Sequence, residues 1–354
     1  MNEWKTVRLG DYITEYSVKN KNCEDIPVYS VTNTQGFCTE YFSKDVSSKD
    51  KSNYKIVPRG YFAYNPSRIN VGSVDWQRYE DRVIVSPLYN VFGVSNELDN
   101  QYLYYFIKSD FGNHLIKSKA EGSVRDNLKL SMLSEFPIPM PPLAEQKHIA
   151  AILDKTQKII AEHKQMLQKY DTLIKSRFIE MFGDNNFQKK KWNEIFITKT
   201  GKLDSNAMVE DGEYPFFTCA KEVFKIDKYA FDQEALLLAG NNAAGKYDVK
   251  HYKGKFNAYQ RTYVLSLKEE WEYPLFKYQL EDKLEYLRQQ SLGGLTKYLT
   301  LKILETLDFI VPPIELQKEF STFVQQIDKS KSAVQKSLEK TETLYKSLMQ
   351  QYFG

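Results

Sequence analysis

The strongest constraint on the fold of this chain is an internal repeat. Segment 141–183 has the sequence PPLAEQKHIAAILDKTQKIIAEHKQMLQKYDTLIKSRFIEMFG, and segment 312–354 has the sequence PPIELQKEFSTFVQQIDKSKSAVQKSLEKTETLYKSLMQQYFG. The two segments align without a gap at a constant spacing of 171 residues, which matches Phe182 with Phe353. A repeat of this length indicates that one structural unit is present twice.

Each repeated segment predicts one long helix. Apolar residues of the first segment recur in steps of seven, as in Leu153, Ile160 and Leu167, which is typical of a coiled-coil-like stripe. A helix of about 36 residues would be ~54 Å long, and its apolar stripe would need a second element to cover it. The expected partner is the second segment, and an ordinary core helix in a bundle is the alternative.

The composition describes a globular protein without a strong net charge. The 354 residues are enough for two or three domains. Hydrophobic residues make up 42% and charged residues 27%, a balance that excludes a disordered chain. The formal net charge of +3 neither requires nor excludes a nucleic-acid partner, because a small net charge can hide basic faces.

Cysteine usage and hydropathy predict a soluble protein of the cytoplasm. Cys23, Cys38 and Cys219 form no CxxC pair, and the histidines form no HExxH pattern. A disulfide framework and a metal site are therefore not expected. The N-terminus has no apolar signal core, and no apolar run approaches the roughly 18 residues that a membrane span needs.

The rest of the chain predicts two β-rich domains. Short apolar runs such as 61–64 and 83–85 are bounded by glycine and proline, which is typical of strands and turns. A helix is expected from about residue 100 to residue 119, followed by a loop, a short element and an extended proline-rich segment. The expected boundaries are 1–140 and 184–311 for the domains, and 141–183 and 312–354 for the helices.

The stretch Gly240–Tyr247, GNNAAGKY, nearly matches the phosphate-binding pattern GxxxxGK[ST]. Tyr247 replaces the hydroxyl that would hold Mg²⁺, and the following residues do not predict the start of a helix. A loop between two strands is therefore expected. The basic, amide and aromatic residues downstream suit contacts to DNA phosphates and base edges, and a solvated β-hairpin is the alternative.

The first domain has an analogous stretch at 64–73. Asn65 and Pro66 are similar to the start of the methyltransferase motif [ND]PP[YF], but Ser67 and Arg68 break that motif, and no glycine-rich cofactor loop precedes it. Methyl transfer by this chain is therefore not expected. The polar residues of the stretch are candidates for DNA contacts, with simple turn residues as the alternative.

The start of the first long helix carries a recognisable motif. The pattern Pro-Pro-Leu-x-Glu-Gln-x-x-Ile at 141–149 follows the proline-rich segment 136–139, and it resembles the conserved regions of specificity subunits of Type I restriction–modification systems. The resemblance covers essentially the whole chain and recurs in the second repeat. There, Leu316 stands at the position of Glu145.

The resemblance implies an α+β fold with a pseudo-twofold internal repeat, in which two similar α/β target-recognition domains are joined by two long antiparallel helices. Each domain would bind one half of a split double-stranded DNA target. The helices would set the spacing and dock the methyltransferase subunits, of which two are expected, and restriction subunits would join the complex. S-adenosylmethionine, ATP and Mg would belong to those subunits, and this chain would bind no cofactor and catalyse no reaction. The residues expected to pair the helices or dock the subunits are Pro141, Pro142, Leu143, Gln146, Leu153, Ile160, Leu167, Ile174, Pro312, Pro313, Gln317, Val324, Leu338 and Tyr345.

Two other functions stay open at this stage. One is a stand-alone restriction or methylation enzyme, for which the sequence contains neither a complete methyltransferase motif nor a nuclease carboxylate cluster. The other is a coiled-coil scaffold without a DNA role. The candidate DNA-binding residues are Asn33, Gln35, Tyr64, Asn65, Ser67, Arg68, Asn70, Ser123, Arg125, Asn241, Asn242, Lys246, Lys253, Lys255, Asn257, Tyr259, Gln260 and Arg261.

Overall fold

The chain divides into two units, and each unit contains one β-rich domain together with parts of both long helices. The first unit comprises Met1–Lys164 and Lys336–Gly354, and the second comprises Gln165–Gln335. The predicted four-segment boundaries stay a prediction. The computed structural model describes residues 4–39, 50–120, 127–183, 186–242, 245–294 and 296–354.

The described strands of the first unit are short and are separated by tight turns. Strands β2, β9, β6 and β7 form a four-stranded sheet in that order, and three antiparallel pairs, β1–β10, β3–β4 and β5–β8, accompany it. Strands at the predicted apolar runs confirm the β-rich character of this domain. The strands are β1 (Thr6–Arg8), β2 (Ile13–Glu15), β3 (Ser30–Thr32), β4 (Gly36–Cys38), β5 (Lys55–Pro58), β6 (Phe62–Tyr64), β7 (Val74–Trp76), β8 (Arg82–Val85), β9 (Asn90–Val94) and β10 (Pro137–Pro139), with 3₁₀ turns at Leu9–Asp11 and Ile69–Val71.

The predicted single helix near residue 100 is two helices, α1 (Asn100–Lys108) and α2 (Asp110–Ala120). The break lies at buried Ser109, whose hydroxyl accepts a hydrogen bond from the Gly112 amide and thereby caps the second helix. A Cβ atom at Gly112 would lie 2.2 Å from the Phe106 carbonyl oxygen, so the tight junction requires glycine. The short α3 (Leu130–Leu133) then leads into β10 and the first long helix, α4 (Leu143–Phe182).

The second unit repeats this plan with a more continuous sheet. Its strands β12, β18, β15, β17, β13 and β14 form one six-stranded sheet in that order, and β11–β20 and β16–β19 are antiparallel pairs. The elements are β11 (Lys189–Lys191), α5 (Trp192–Ile195), β12 (Phe196–Thr200), a 3₁₀ turn (Ser205–Ala207), β13 (Tyr214–Phe217), β14 (Phe224–Ile226), β15 (Phe231–Ala239), β16 (Asn241–Asn242), β17 (Val249–Ala258), β18 (Thr262–Leu267), α6 (Tyr273–Asp282), α7 (Leu284–Gln290), β19 (Lys297–Tyr298), α8 (Leu301–Leu304), β20 (Asp308–Ile310) and the second long helix, α9 (Ile314–Phe353).

Each sheet contains an equivalent hairpin, which is continuous in the second unit and interrupted in the first. In the second unit, β15 pairs with β17 over eight residues and also pairs with β18. In the first unit, β6 pairs with β7 and β9 in the same way, but the hairpin is interrupted and resumes as β5–β8. The interruption lies where the Gly60 amide donates to the Gln77 carbonyl and the Gln77 amide donates to the Tyr61 carbonyl. The connection between β6 and β7 therefore corresponds to the connection between β15 and β17.

The long helices run antiparallel within each unit. In the first unit Gln157 Nε2 donates to Tyr345 Oη at 2.8 Å, and Lys164 pairs with Glu342 at 2.8 Å. In the second unit, Asp171 pairs with Lys331 and Arg177 pairs with Glu319, both at 2.6 Å. In both cases higher numbers on α4 meet lower numbers on α9, as the resemblance implied. The predicted pairing residues Leu153, Ile174, Val324 and Leu338 are buried, and Leu143, Ile160, Leu167 and Tyr345 are half-buried.

Two of the residues expected to pair the helices or dock the subunits contact the backbone of the β-rich domains. Gln146 and Gln317 are buried, and their side chains hold the chain just before α1 and α6. Gln146 accepts from the Asp99 amide at 2.8 Å and donates to the Pro141 carbonyl, while Gln317 accepts from the Glu272 amide at 3.1 Å. Gln317 also donates to the Pro312 carbonyl. Both side-chain amides are buried and are used to fasten a β-rich domain to its helix.

Two prolines precede each long helix, and the repeat preserves their burial. The first of each pair, Pro141 or Pro312, is buried, and the second, Pro142 or Pro313, is exposed. Within the described residues, no helix combines the length and the apolar character needed to cross a membrane.

Candidate nucleic-acid interface

In the first unit, the predicted loop after β6 is a compact turn that holds polar side chains at the surface. Asn65 Oδ1 accepts from the Ser67 amide and hydroxyl, both at 3.1 Å, and the Asn65 amide donates to the Ser73 carbonyl. Gly72 closes the turn with φ of +93°, a conformation that favours glycine. Ser67 and Arg68 are exposed. This loop therefore offers a hydroxyl and a guanidinium on a rigid backbone.

The hairpin between β3 and β4 lies beside this loop. Its tip residues Asn33 and Gln35 are exposed. The Ser73 hydroxyl donates to the Val31 carbonyl, and a Cβ atom at Gly72 would lie 3.7 Å from the Asn33 Cβ. The structure thus brings together two candidate segments that are about 30 residues apart in the sequence.

Tyr64 is not part of the exposed surface, although the sequence placed it among the candidates. Its side chain is fully buried, and burial raises the pKa of its hydroxyl. The hydroxyl donates to the Leu128 carbonyl at 3.0 Å and accepts from Asn90 Nδ2 at 2.9 Å. The Leu128 amide in turn donates to the Pro66 carbonyl. Tyr64 therefore fastens the loop before α3 to the loop after β6.

Asn70 is half-buried within the 3₁₀ turn of the same loop. The remaining candidates of the first domain, Ser123 and Arg125, lie outside the described residues.

In the second unit, the near-match to a phosphate-binding loop is a connection between strands, as expected. Gly240–Tyr247 lies between β15 and β17, and no helix follows it. Asn241 and Asn242 form β16, which pairs with Tyr298 and Lys297 of β19. Lys246 is exposed, and its amide donates to Asn242 Oδ1 at 3.2 Å. The loop therefore presents amide and ammonium groups beside the segment that precedes α8.

The turn between β17 and β18 joins this group. Gln260 and Arg261 are exposed, and Tyr259 is half-buried. The Gly240 amide donates to the Arg261 carbonyl at 2.9 Å. Gln260 and Arg261 line an open groove of about 420 Å³ together with Gly240 and Tyr298. Its walls carry a guanidinium, a carboxamide and an exposed aromatic ring, which are the groups that contact phosphates and base edges.

Two candidates on β17 lie apart from this groove. Lys253 and Lys255 pair in register with Glu234 and Asp232, toward the end of β15 that is remote from Gly240. Lys253 forms an ion pair with Glu234 at 3.1 Å, and the Lys255 ammonium lies 4.8 Å from the ring centre of Tyr229.

Asn257 is buried, which contradicts its candidacy for a DNA contact. Its Nδ2 donates to the Lys228 carbonyl at 2.9 Å, and its Oδ1 accepts from the Ala258 amide. Both ends of the side chain are therefore used to shape the backbone.

Sequence reasoning missed Lys297 and Tyr298. Tyr298 is 41% exposed and pairs with Asn241, so it lies in the middle of the candidate surface. The 171-residue spacing extends upstream to Gly122 and Gly293, and the candidate segment at 123–125 therefore has its counterpart just before Lys297. That spacing was the signal that would have found the segment.

Each unit therefore places three segments in mutual contact at one surface. In the first unit, contacts of Ser73 and Leu128 join the loop after β6 to the β3–β4 hairpin and to the segment before α3. In the second unit, contacts of Gly240 and Tyr298 join the loop after β15 to the β17–β18 turn and to the segment before α8. In the described part of the chain, no group of three or more His, Cys, Asp or Glu side chains is placed to hold a metal ion.

Comparison with known protein families identifies the family of this chain. The family model for the Type I restriction modification DNA specificity domain matches residues 1–169 and again residues 184–342. The chain belongs to this family. The resemblance seen in the helix-start motif is thereby confirmed, and the two matches correspond to the two halves of the repeat.

Individual relatives align over different shares of their length. The specificity subunit of the Type I restriction enzyme EcoDI of Escherichia coli is 37% identical over 149 residues, which is 40% of this chain and 32% of the relative. The chain thus spans about a third of that relative. The MjaX specificity subunit of Methanocaldococcus jannaschii is 22% identical over 352 residues, covering 87% of this chain and 80% of the relative.

Solved structures share the fold. The Type I restriction–modification S subunit from M. genitalium superimposes with a TM-score of 0.66 at 15% identity, over 100% of this chain and 97% of that one. A chain from a structural study of complex assembly and conformational transition in the type I R-M system gives a TM-score of 0.52 at 17% identity. These matches confirm the predicted α+β architecture of two domains with two long helices.

Proposed function

We propose that this chain is the DNA sequence-recognition subunit of a Type I restriction–modification complex. Each β-rich domain binds one half of a bipartite double-stranded target through the loops described above. The observation that carries the proposal is the pair of corresponding loop surfaces, one in each match to the specificity-domain family. Their exposed side chains differ, as expected if the two half-sites differ in sequence.

The exposed groups suit base recognition as well as phosphate contact. Arg68 in the first unit and Arg261 in the second are exposed guanidinium groups, and Asn33, Gln35 and Gln260 are exposed carboxamides. Arginine makes bidentate contacts to guanine, and asparagine or glutamine makes them to adenine. A net charge of +3 is a weak field for DNA, so partner subunits supply much of the phosphate contact and the isolated chain binds DNA weakly.

Membership in the family supports a proposal for the partners. The long helices dock methyltransferase subunits, two per chain, and restriction subunits join that assembly. S-adenosylmethionine, ATP and Mg²⁺ bind those partners, and this chain carries out no catalysis. Names of relatives such as the EcoDI specificity subunit support this assignment. The cytoplasmic location stays a prediction.

The deciding experiment maps methylated adenines in the host genome with and without the gene for this chain. The expected result is a split motif, two short specified sequences separated by unspecified base pairs, that disappears on deletion and returns on complementation. A deletion that removes no methylated motif would contradict the proposal.

A parallel assay incubates the purified chain with S-adenosylmethionine and host DNA from the deletion strain. No methyl transfer is expected until methyltransferase subunits are added. Methyl transfer by the chain alone would instead favour a stand-alone enzyme.

A further inference from the structure

A buried carboxylate supports the backbone of the β3–β4 hairpin. Asp75, in β7, is 3% exposed. Its Oδ2 accepts from the Phe37 amide at 3.1 Å, directly after the hairpin tip that carries Asn33 and Gln35. Its Oδ1 accepts from the Trp76 amide at 2.8 Å. The carboxylate is therefore committed to holding two backbone amides, one of which belongs to the candidate recognition hairpin.

The surroundings of this carboxylate are built around it. A Cβ atom at Gly36 would lie 2.0 Å from Asp75 Oδ2, so only glycine fits there, and Gly36 has a φ of +63°. Arg78 forms an ion pair with Asp75, and its guanidinium lies 4.5 Å from the ring centre of Trp76. Burying a charge is costly unless it is paired and hydrogen-bonded, and here both conditions are met.

The second unit has a counterpart with the opposite charge. Lys250 is the second residue of β17, as Asp75 is the second residue of β7, and its side chain is 16% exposed. Lys250 Nζ donates to the Ala220 carbonyl at 2.9 Å, in the loop between β13 and β14, and it pairs with Asp248. In the first unit an acid accepts from the loop amide, and in the second a cation donates to the loop carbonyl.

We propose that Asp75 and Lys250 are positioning residues for DNA specificity. Asp75 holds the backbone of the β3–β4 hairpin and Lys250 holds the backbone of the β13–β14 loop. Each thereby orients the exposed side chains of its loop toward one half-site. This inference rests on the proposed function. It assigns a task to buried Asp75 and half-buried Lys250, which act through the backbone of a loop.

The test uses the full chain, expressed together with the methyltransferase subunits of its system, and maps methylated adenines in the genome of a host without other such systems. Asp75→Ala is expected to reduce discrimination at bases of the first half-site by on the order of tenfold, the range of one lost base contact, so that related motifs become methylated. The second half-site stays unchanged. Lys250→Met is expected to do the reverse.

Control variants remove a charge outside the β3–β4 hairpin and the β13–β14 loop. Asp81→Ala removes an exposed carboxylate in the same domain, whose partner is Arg59, and Lys277→Met removes an ammonium that pairs with Glu281 within α6. Both are expected to leave the two half-sites unchanged.

A merely structural role gives a different pattern. It lowers the amount of active complex and the level of methylation at an unaltered motif, and that result for both Asp75→Ala and Lys250→Met would overturn the inference. If Asp75→Ala does not assemble, Asp75→Asn, which keeps the side-chain volume, is judged by the same outcomes. A wild-type complex without any split motif would instead contradict the proposed function.

Discussion

The two β-rich domains are attached to their helices by the same glutamine contacts, which form a shared frame. The contacts around this frame differ in chemistry between the two units. Tyr105 and Tyr278 occupy equivalent places, each six residues after the residue whose amide is held by Gln146 or Gln317. In the first unit the Tyr105 hydroxyl donates to Asp154 Oδ1 at 2.6 Å. In the second unit the Tyr278 ring packs against Phe178, with centroids 4.6 Å apart.

Neighbouring residues extend this contrast. In the first unit, Gln101 donates to Asp154 at 2.8 Å and the Trp76 indole donates to Gln101 at 2.9 Å, so polar contacts run from the sheet to the long helix. In the second unit, Phe320 packs against Phe178 and Phe182 with centroids 5.7 and 5.6 Å apart. The repeat therefore keeps the two glutamines and allows the contact surface around them to change.

The largest effect is expected for the aromatic cluster of the second unit. Phe320→Ala removes a fully buried ring and should lower the free energy of unfolding of that unit by about 3–5 kcal/mol. Hydrogen exchange measured on peptides of each unit checks this, since protection should fall in the second unit. The control is Ile149→Ala at the matching repeat position, which should affect the first unit. Equal loss of protection in both units from Phe320→Ala would contradict the presence of a separate hydrophobic core in each unit.

A smaller and matched effect is expected for the two buried glutamines. Gln146→Leu and Gln317→Leu each leave a half-buried backbone amide and a buried proline carbonyl without this partner, and Gln146→Leu also removes the bond to the Glu97 carbonyl. The expected cost is about 2 kcal/mol for each variant. The two losses should agree within about 1 kcal/mol, because the amide and proline contacts correspond. Urea unfolding compares them, with the exposed Gln168→Leu as a control. A large cost for only one of them would refute the shared frame.

The equivalent tyrosines separate the two kinds of interface. Tyr105→Phe removes a hydrogen bond to a carboxylate and should cost about 1.5 kcal/mol. Tyr278→Phe keeps the ring contacts and should cost close to zero, so each variant is the control of the other. Thermal unfolding of both is sufficient, and the comparison fails if Tyr278→Phe is the more destabilising.

The smallest effect is expected for Glu234, on the sheet of the second unit. Burial favours a higher pKa of this carboxyl, but hydrogen bonds from Lys253 and His251 outweigh burial and lower the pKa below its ordinary value. A lowered pKa in the folded state adds stability above the ordinary pKa of about 4.5, and this stability is lost as the pH falls through the folded value.

The stability difference between the wild type and Glu234→Gln should therefore be present near neutral pH and vanish below about pH 4. The Tyr273 ring stacks on His251, and its hydroxyl is a further titratable group near Glu234, besides His251 and Lys253. Chemical unfolding across pH measures the difference. A difference that persists or grows below about pH 4 would contradict the assigned direction.

The sequence was sufficient for the architecture and insufficient for the contacts. The heptad steps and the repeat predicted the long helices and their pairing, because helix periodicity is local. The break at Ser109 was missed, since a serine cap and a close glycine are visible only when the helices meet.

Polar residues were harder to place than apolar ones. Tyr64 and Asn257 have the residue types of a DNA contact, but both are buried and bonded to backbone carbonyls. Gln146 was expected to pair the helices or dock the subunits, and its side chain is likewise buried and bonded to the backbone. Whether a polar side chain satisfies the backbone or faces solvent depends on tertiary packing, which a residue pattern does not specify.

The central claim is that each domain determines its own half of the target. The direct test replaces residues 1–140 with the corresponding segment of another member of the family and maps methylated adenines in a host that supplies the methyltransferase subunits. The account predicts that one half-site changes to a new sequence, while the other half-site and the number of unspecified base pairs stay the same. A change in both half-sites, or in neither, would contradict it.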